Sequence, residues 1–95
     1  MAGTNPGMKY DNGKPMPHLI EPAFLLHLAA VLTHGASKYG TDNWKNDLSI
    51  DRILSAAYRH LLAYQSGELT DPETGLPHLS HCTANLMFLH YYTGE

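Results

Sequence analysis

Apolar residues recur at the three- and four-residue spacing of an α-helix in three stretches of the chain. The spacing predicts helices over about 22–39, 50–66 and 77–92. Pro22 suits a first helical turn, and Ser49 can cap the second helix through its hydroxyl. Glycine follows the end of each stretch, as expected where a helix stops.

The rest of the chain shows neither helical periodicity nor the alternating pattern of strands. Residues 1–20 are rich in glycine and proline, which predicts an irregular N-terminal arm. The segments 40–49 and 68–77 have the composition of loops, and the first contains the single tryptophan, Trp44. We therefore expect a single all-α domain over 1–95, a compact bundle of three main helices with an irregular arm.

The predicted core is thin, because a domain of this length buries only about 60–65% of the surface of its unfolded chain. The apolar stripe of the second helix is expected to be Ile50, Leu54, Ala57, Leu61 and Leu62. The core-facing set of the third is expected to be Leu79, Cys82, Leu86 and Leu89 or His90. Since much apolar surface is left over, we predict that a homo-oligomer completes the bundle.

Composition narrows the range of partners. Six Lys and Arg against nine Asp and Glu give a net charge of −3, so we expect no polymeric nucleic acid partner. A small charged ligand needs only a few well-placed donors and stays compatible with this charge. The chain has one cysteine and no run of eighteen apolar residues, which predicts a cytoplasmic protein without a membrane partner.

Polar residues interrupt the apolar helices in a regular way. His78, His81 and Asn85 are three, four and seven positions apart, so they share one face of the third helix. The other helices carry comparable stripes: His27, His34 and Lys38 on the first, and Arg52, Arg59 and His60 on the second. If the stripes face one cleft, they would form an anion site rich in cations and imidazoles.

Such a cleft favours a nucleotide, because Lys38 and Arg59 suit phosphate oxygens and Trp44 can stack on a base. A metal ion is the competing interpretation, since the two histidines of HLSH can bind one together with Asp71 or His60. Mg²⁺ would prefer oxygen ligands, and paired carboxylates are missing from the predicted helices.

Several of these residues also have an explanation that is purely structural. Arg59 can pair with Asp51 or Glu68, Trp44 can fill the core, and His78 can cap its helix.

Four segments resemble a known family: KYDNGKP (9–15), HGASKYGTDNW (34–44), AAYRHLLAY (56–64) and DPETGLPHLSHCTANLMFL (71–89). They look like the phage-borne family described as the N-terminal domain of dATP/dGTP diphosphohydrolases. The likeness runs from Lys9 to Leu89. Its most specific motifs are K-Y-G-x-x-N-W and D-P-E-T-G-L-P-H-L-x-H.

This resemblance implies binding of a purine deoxynucleoside triphosphate and its cleavage to monophosphate and pyrophosphate in the host cytosol. It also implies a divalent metal such as Mg, Mn, Co or Zn. The catalytic candidates are His60, His78 and His81, and the metal ligand candidates are Asp71, His78 and His81. The ligand-binding candidates are Lys38, Tyr39, Asn43, Trp44, Arg59 and Asn85.

Two other functions fit the same residues. The chain can be a non-catalytic oligomeric sponge that sequesters a nucleotide-derived immune signal and so counters host anti-phage defence. It can also be a helical oligomerisation module without a ligand. In either nucleotide hypothesis, the shortness of the helices favours a pocket at a subunit boundary.

Overall fold

The computed structural model describes residues 12–40, 45 and 49–94, and these residues form three α-helices. In chain order the helices are α1 (Pro22–Tyr39), α2 (Ile50–Gln65) and α3 (His78–Thr93). A short 3₁₀ turn at Pro17–Leu19 lies within the segment predicted to be irregular. The predicted all-α class is confirmed. Among the described residues, no helix has the length and apolar character needed to cross a membrane.

Local capping explains where the helices begin and end. The Glu21 carboxylate accepts hydrogen bonds from the backbone N–H groups of Ala23 at 2.8 Å and Phe24 at 3.0 Å, so it caps α1. The Ser49 hydroxyl accepts from the N–H of Arg52 at 3.5 Å at the start of α2, as the sequence predicts. These caps satisfy N–H groups that have no partner within the helix.

The helix α3 packs against both other helices, most extensively against α2, whereas contacts between α1 and α2 are sparse among the described residues. The buried apolar side chains are mostly small: Val31, Ile53, Ala57, Cys82 and Ala84. Small side chains allow α2 and α3 to approach closely along this interface. Burial also raises the pKa of the Cys82 thiol, so this cysteine stays protonated in the core.

Two parts of the predicted core are wrong. Leu86 of α3 is 52% exposed, while Ala84, only 2% exposed, occupies the contact with its neighbours. Most of the apolar stripe predicted for α2 is exposed as well, namely Ile50, Leu54, Leu61 and Leu62. Because α3 carries apolar residues on several sides, periodicity alone does not identify the face that its neighbours cover.

The loop between α2 and α3 is held by backbone pairing. An isolated antiparallel bridge joins Thr70 to Pro77, and the N–H of His78 donates to the carbonyl of Leu69 at 3.0 Å. This pairing closes residues 68–77 into a hairpin-like turn whose base lies beside the first turn of α3.

The tip of this loop is equally constrained. The N–H of Asp71 donates to the carbonyl of Leu76 at 2.8 Å, and the Asp71 carbonyl accepts from the N–H of Gly75 at 2.7 Å. Gly75 has φ of 72°, a left-handed conformation that glycine adopts without steric cost. The loop therefore presents the side chain of Asp71 in a fixed position.

Candidate histidine–aspartate site

A polar cluster lies where the end of α2 and the start of α3 meet the connecting loop. The α2 helix contributes His60, α3 contributes His78 and His81, and the loop contributes Asp71. The His60 and His81 rings are stacked, with centroids 4.6 Å apart and planes inclined by 11°. The His60 and His78 centroids are 5.1 Å apart. The structure thus brings all three predicted catalytic histidines together.

His78 is the most buried member of this cluster, at 5% exposed. Its Nδ1 lies 2.9 Å from Nδ1 of His60, and its Nε2 lies 2.6 Å from Oε1 of Glu68. Both ring nitrogens of His78 are therefore engaged within the protein. Glu68 is a site residue that the sequence interpretation missed, since it was considered only as a partner of Arg59.

Asp71 is held in an orientation that directs its carboxylate at the histidines. Its Oδ1 accepts a hydrogen bond from the N–H of Glu73 at 2.7 Å, and its Oδ2 lies 3.9 Å from Nδ1 of His60. Burial disfavours the ionised carboxyl, but the Glu73 N–H and the nearby His81 and His60 outweigh burial. The pKa of Asp71 is lowered as a result, and the group is ionised at neutral pH.

His81 is positioned by Thr74, a second residue that sequence reasoning missed. Nε2 of His81 and Oγ1 of Thr74 are 2.7 Å apart and share a hydrogen bond. The same hydroxyl oxygen accepts from the N–H of Leu76 at 3.2 Å, which ties it to the loop backbone. The nitrogen of His81 that Thr74 does not engage is Nδ1.

The electrostatic surroundings keep His60 and His81 neutral at neutral pH. Burial is the main reason that the pKa of His60 is lowered, and the neighbouring His81 and His78 add to it against the attraction of Asp71. Burial likewise lowers the pKa of His81, although Asp71 acts in the opposite direction. A neutral imidazole keeps a lone pair, so each ring can accept a proton or bind a metal ion.

Three of these side chains have the geometry of a metal-binding group. One ligand atom each from His60, Asp71 and His81 can be chosen so that all lie within 4.8 Å of one another. Ligands about 2.0–2.2 Å from a common ion lie roughly 3–4 Å apart, so small side-chain adjustments would close the group around an ion. The metal ligands predicted from the sequence are Asp71, His78 and His81. In the group that the structure brings together, His60 replaces His78.

The predicted cationic residues lie around the cluster rather than in it. Nζ of Lys38, in the last turn of α1, is 3.5 Å from Oε1 of Glu73, two residues beyond Asp71. Arg59 lines an open groove of about 570 Å³ on α2, together with Asp51, Arg52 and Ser55. Its positive charge also contributes to the lowered pKa of His60.

The other ligand-binding candidates are not part of the described cluster. The Asn85 amide donates to the carbonyl of His81 at 2.9 Å, within α3. Asn43, Trp44 and the side chain of Tyr39 lie outside the described residues. Their proposed role in ligand binding stays a prediction.

The helices and the cluster together define a small all-helical domain with a histidine–aspartate site. The chain belongs to the family described as dATP/dGTP diphosphohydrolase, N-terminal, whose family model matches residues 4–95. The family predicted from the sequence motifs is thereby confirmed.

A relative from Salmonella phage PMBT28, described as a dATP/dGTP diphosphohydrolase, is 43% identical over 83 residues. The match covers 87% of this chain and 28% of the relative, so the chain spans less than a third of that protein's length. No solved structure matches the chain.

Proposed function

We propose that this domain binds a purine deoxynucleoside triphosphate and takes part in its hydrolysis to the monophosphate and pyrophosphate. A divalent ion held by His60, Asp71 and His81 would assist the reaction. The observation that carries the proposal is the convergence of two neutral imidazoles and one carboxylate within 4.8 Å. The description of the family supplies the class of substrate.

The three ligand atoms of the candidate site favour some metal ions over others. Two imidazole nitrogens and one carboxylate oxygen suit Mn²⁺, Co²⁺ or Zn²⁺, whereas Mg²⁺ prefers a site made mostly of oxygen. When bound, such an ion supplies positive charge at a phosphoryl oxygen and makes a water molecule more acidic. We therefore expect transition-metal ions to support activity better than Mg²⁺ does in this domain.

Residues around the cluster are arranged to meet a triphosphate. Lys38 approaches from α1, and its partner Glu73 can be replaced by phosphate oxygens, which carry more negative charge. Arg59, in the neighbouring groove on α2, offers planar paired donors for phosphate. In this proposal these two cations bind the phosphates, while His60 and His81 hold the ion.

Product analysis tests the proposed function. The purified chain is incubated with dATP or dGTP and with Mn²⁺, Co²⁺, Zn²⁺ or Mg²⁺, and the nucleotides are separated by ion-exchange chromatography. We expect monophosphate and pyrophosphate in equal amounts. Nucleotide that is bound but recovered intact with every ion would contradict hydrolysis and favour the alternative, a sponge that sequesters a nucleotide-derived signal.

Self-association remains part of the proposal. Large apolar side chains are exposed on all three helices, including Leu25 of α1, Leu61 and Leu62 of α2 and Leu86 of α3. Exposed apolar surface of this kind favours contact between copies of a chain, and a nucleotide pocket at the subunit boundary would follow. Sedimentation velocity tests this: we expect an oligomer that Leu62→Glu weakens, and a monomeric native chain would contradict it.

A further inference from the structure

A chain of three side chains runs from the surface to the candidate site. Glu68, in the loop, is 54% exposed at its side chain, and its Oε1 lies 2.6 Å from Nε2 of the buried His78. Nδ1 of His78 lies 2.9 Å from Nδ1 of His60. His60 is in turn a member of the group that can hold a metal ion.

The hydrogen atoms along this chain follow from the chemistry of each partner. An ionised carboxylate only accepts, so Nε2 of His78 must carry a hydrogen and donate to Glu68. When the imidazole of His78 is neutral, it has one N–H, which leaves its Nδ1 as an acceptor. Two ring nitrogens 2.9 Å apart need one hydrogen between them, and this hydrogen must therefore belong to His60.

We propose that Glu68, acting through His78, fixes His60 as the tautomer with its hydrogen on Nδ1 and its lone pair on Nε2. Glu68 and His78 are then positioning residues, because they act on His60 and not on a substrate. Nδ1 of His60 is the atom 3.9 Å from Oδ2 of Asp71, but its hydrogen bond to His78 makes it unavailable as a ligand. Nε2 is the nitrogen that His60 offers.

The backbone keeps the positioning residues in place. The N–H of Glu68 donates to the carbonyl of Ala63 at 3.0 Å, which anchors the loop to the end of α2. The N–H of His78 donates to the carbonyl of Leu69 at 3.0 Å, which joins the same loop to α3. In metal sites, a partner on the second ring nitrogen commonly sets the tautomer of a ligating histidine. Here His78 would transmit the effect of the Glu68 carboxylate to His60.

The tautomer can be measured in the metal-free, nucleotide-free protein. Long-range ¹H–¹⁵N spectra of histidine-labelled protein, above the ordinary histidine pKa of about 6.5, distinguish protonated from unprotonated ring nitrogens. We expect Nδ1 of His60 to be protonated in the native chain. In Glu68→Ala we expect a mixture of tautomers. Glu73→Ala removes a glutamate of the same loop that does not contact His78, and should leave the native pattern.

A hydrogen on Nε2 of His60 in the native chain, or an unchanged pattern in Glu68→Ala, would overturn the proposal. Zn²⁺ titration without nucleotide gives a second readout, and we expect Glu68→Ala to weaken binding roughly 10-fold. The role of the tautomer in catalysis rests on the proposed function, whereas the spectra test the tautomer independently of that function. If the spectra show the expected tautomer but the protein hydrolyses no nucleotide, the proposed function is contradicted and the tautomer assignment stands.

Discussion

The interface between α2 and α3 has an apolar end and a polar end. One end buries apolar side chains, among them Ile53, Ala57 and Ala84. The other gathers His60, His78 and His81. The buried histidines have hydrogen-bond partners, but the cost of removing polar groups from water offsets most of what such bonds contribute. We therefore expect the polar end to add less stability than the apolar end. We expect the apolar end to hold the helices together and, under the proposed function, the polar end to carry the activity.

The largest effect is expected at the polar end, on activity. Replacing His81 by alanine removes one of the three candidate ligands, so we expect hydrolysis of dGTP to fall about 100-fold or more. The free energy of unfolding should change by less than about 1 kcal/mol, because His81 is only partly buried and the Asp71 carboxylate keeps its hydrogen bond from the N–H of Glu73. Rates of product formation and urea unfolding curves measure the two effects.

His90→Ala is the matched control, because His90 is an exposed histidine near the end of the same helix. It should leave the rate unchanged. Equal losses of activity in His81→Ala and His90→Ala, or a large loss of stability in His81→Ala alone, would remove the distinction between the two ends.

At the apolar end the main effect is expected on stability. Ile53→Ala should lower the free energy of unfolding by about 2 to 4 kcal/mol, because it leaves a cavity between the helices. Leu54→Ala, at the adjacent exposed position, should cost less than about 1 kcal/mol in the same urea titration. A Leu54→Ala variant as unstable as Ile53→Ala would show that a contact between subunits covers that face.

The pH dependence of stability should come from the polar end. The pKa values of His60 and His81 are lowered on folding, so the unfolded chain binds more protons than the folded chain just below about 6.5. Stability should therefore be fully present above that pH and fall as the pH drops towards the lowered values. Urea midpoints across this range should show a shallower slope in His60→Ala, and an unchanged slope would contradict the assignment.

The smallest effect is expected at Ser80 in the first turn of α3, which is 1% exposed. Its hydroxyl has no hydrogen-bond partner within the described part of the chain. Ser80→Ala removes a buried polar group without a bond, so we expect thermal unfolding to show a stabilisation of up to about 1 kcal/mol. Ser55→Ala on the exposed side of α2 controls for helix propensity, and a destabilised Ser80→Ala would mean that the hydroxyl has a partner.

The sequence predicts the helices well because each has both an apolar period and a start or stop residue, as at Ser49 and Gly94. The stripe of His78 and His81 also follows from spacing on one helix. The buried face of α3 does not, because it depends on which neighbour covers it. Glu68 and Thr74 lie in a loop, where the distance to a histidine depends on backbone pairing that no local pattern encodes.

The central claim is that His60, Asp71 and His81 form a single metal site. A titration with Co²⁺ is the most direct test of this claim. Nitrogen and oxygen ligands around Co²⁺ give absorption bands in the visible region that the free hydrated ion shows only weakly. We expect bands that saturate at a single equivalent of ion per chain. Asp71→Asn and His81→Ala should abolish them, and His90→Ala should keep them. No bands in the native chain, or the same bands in every variant, would contradict the account.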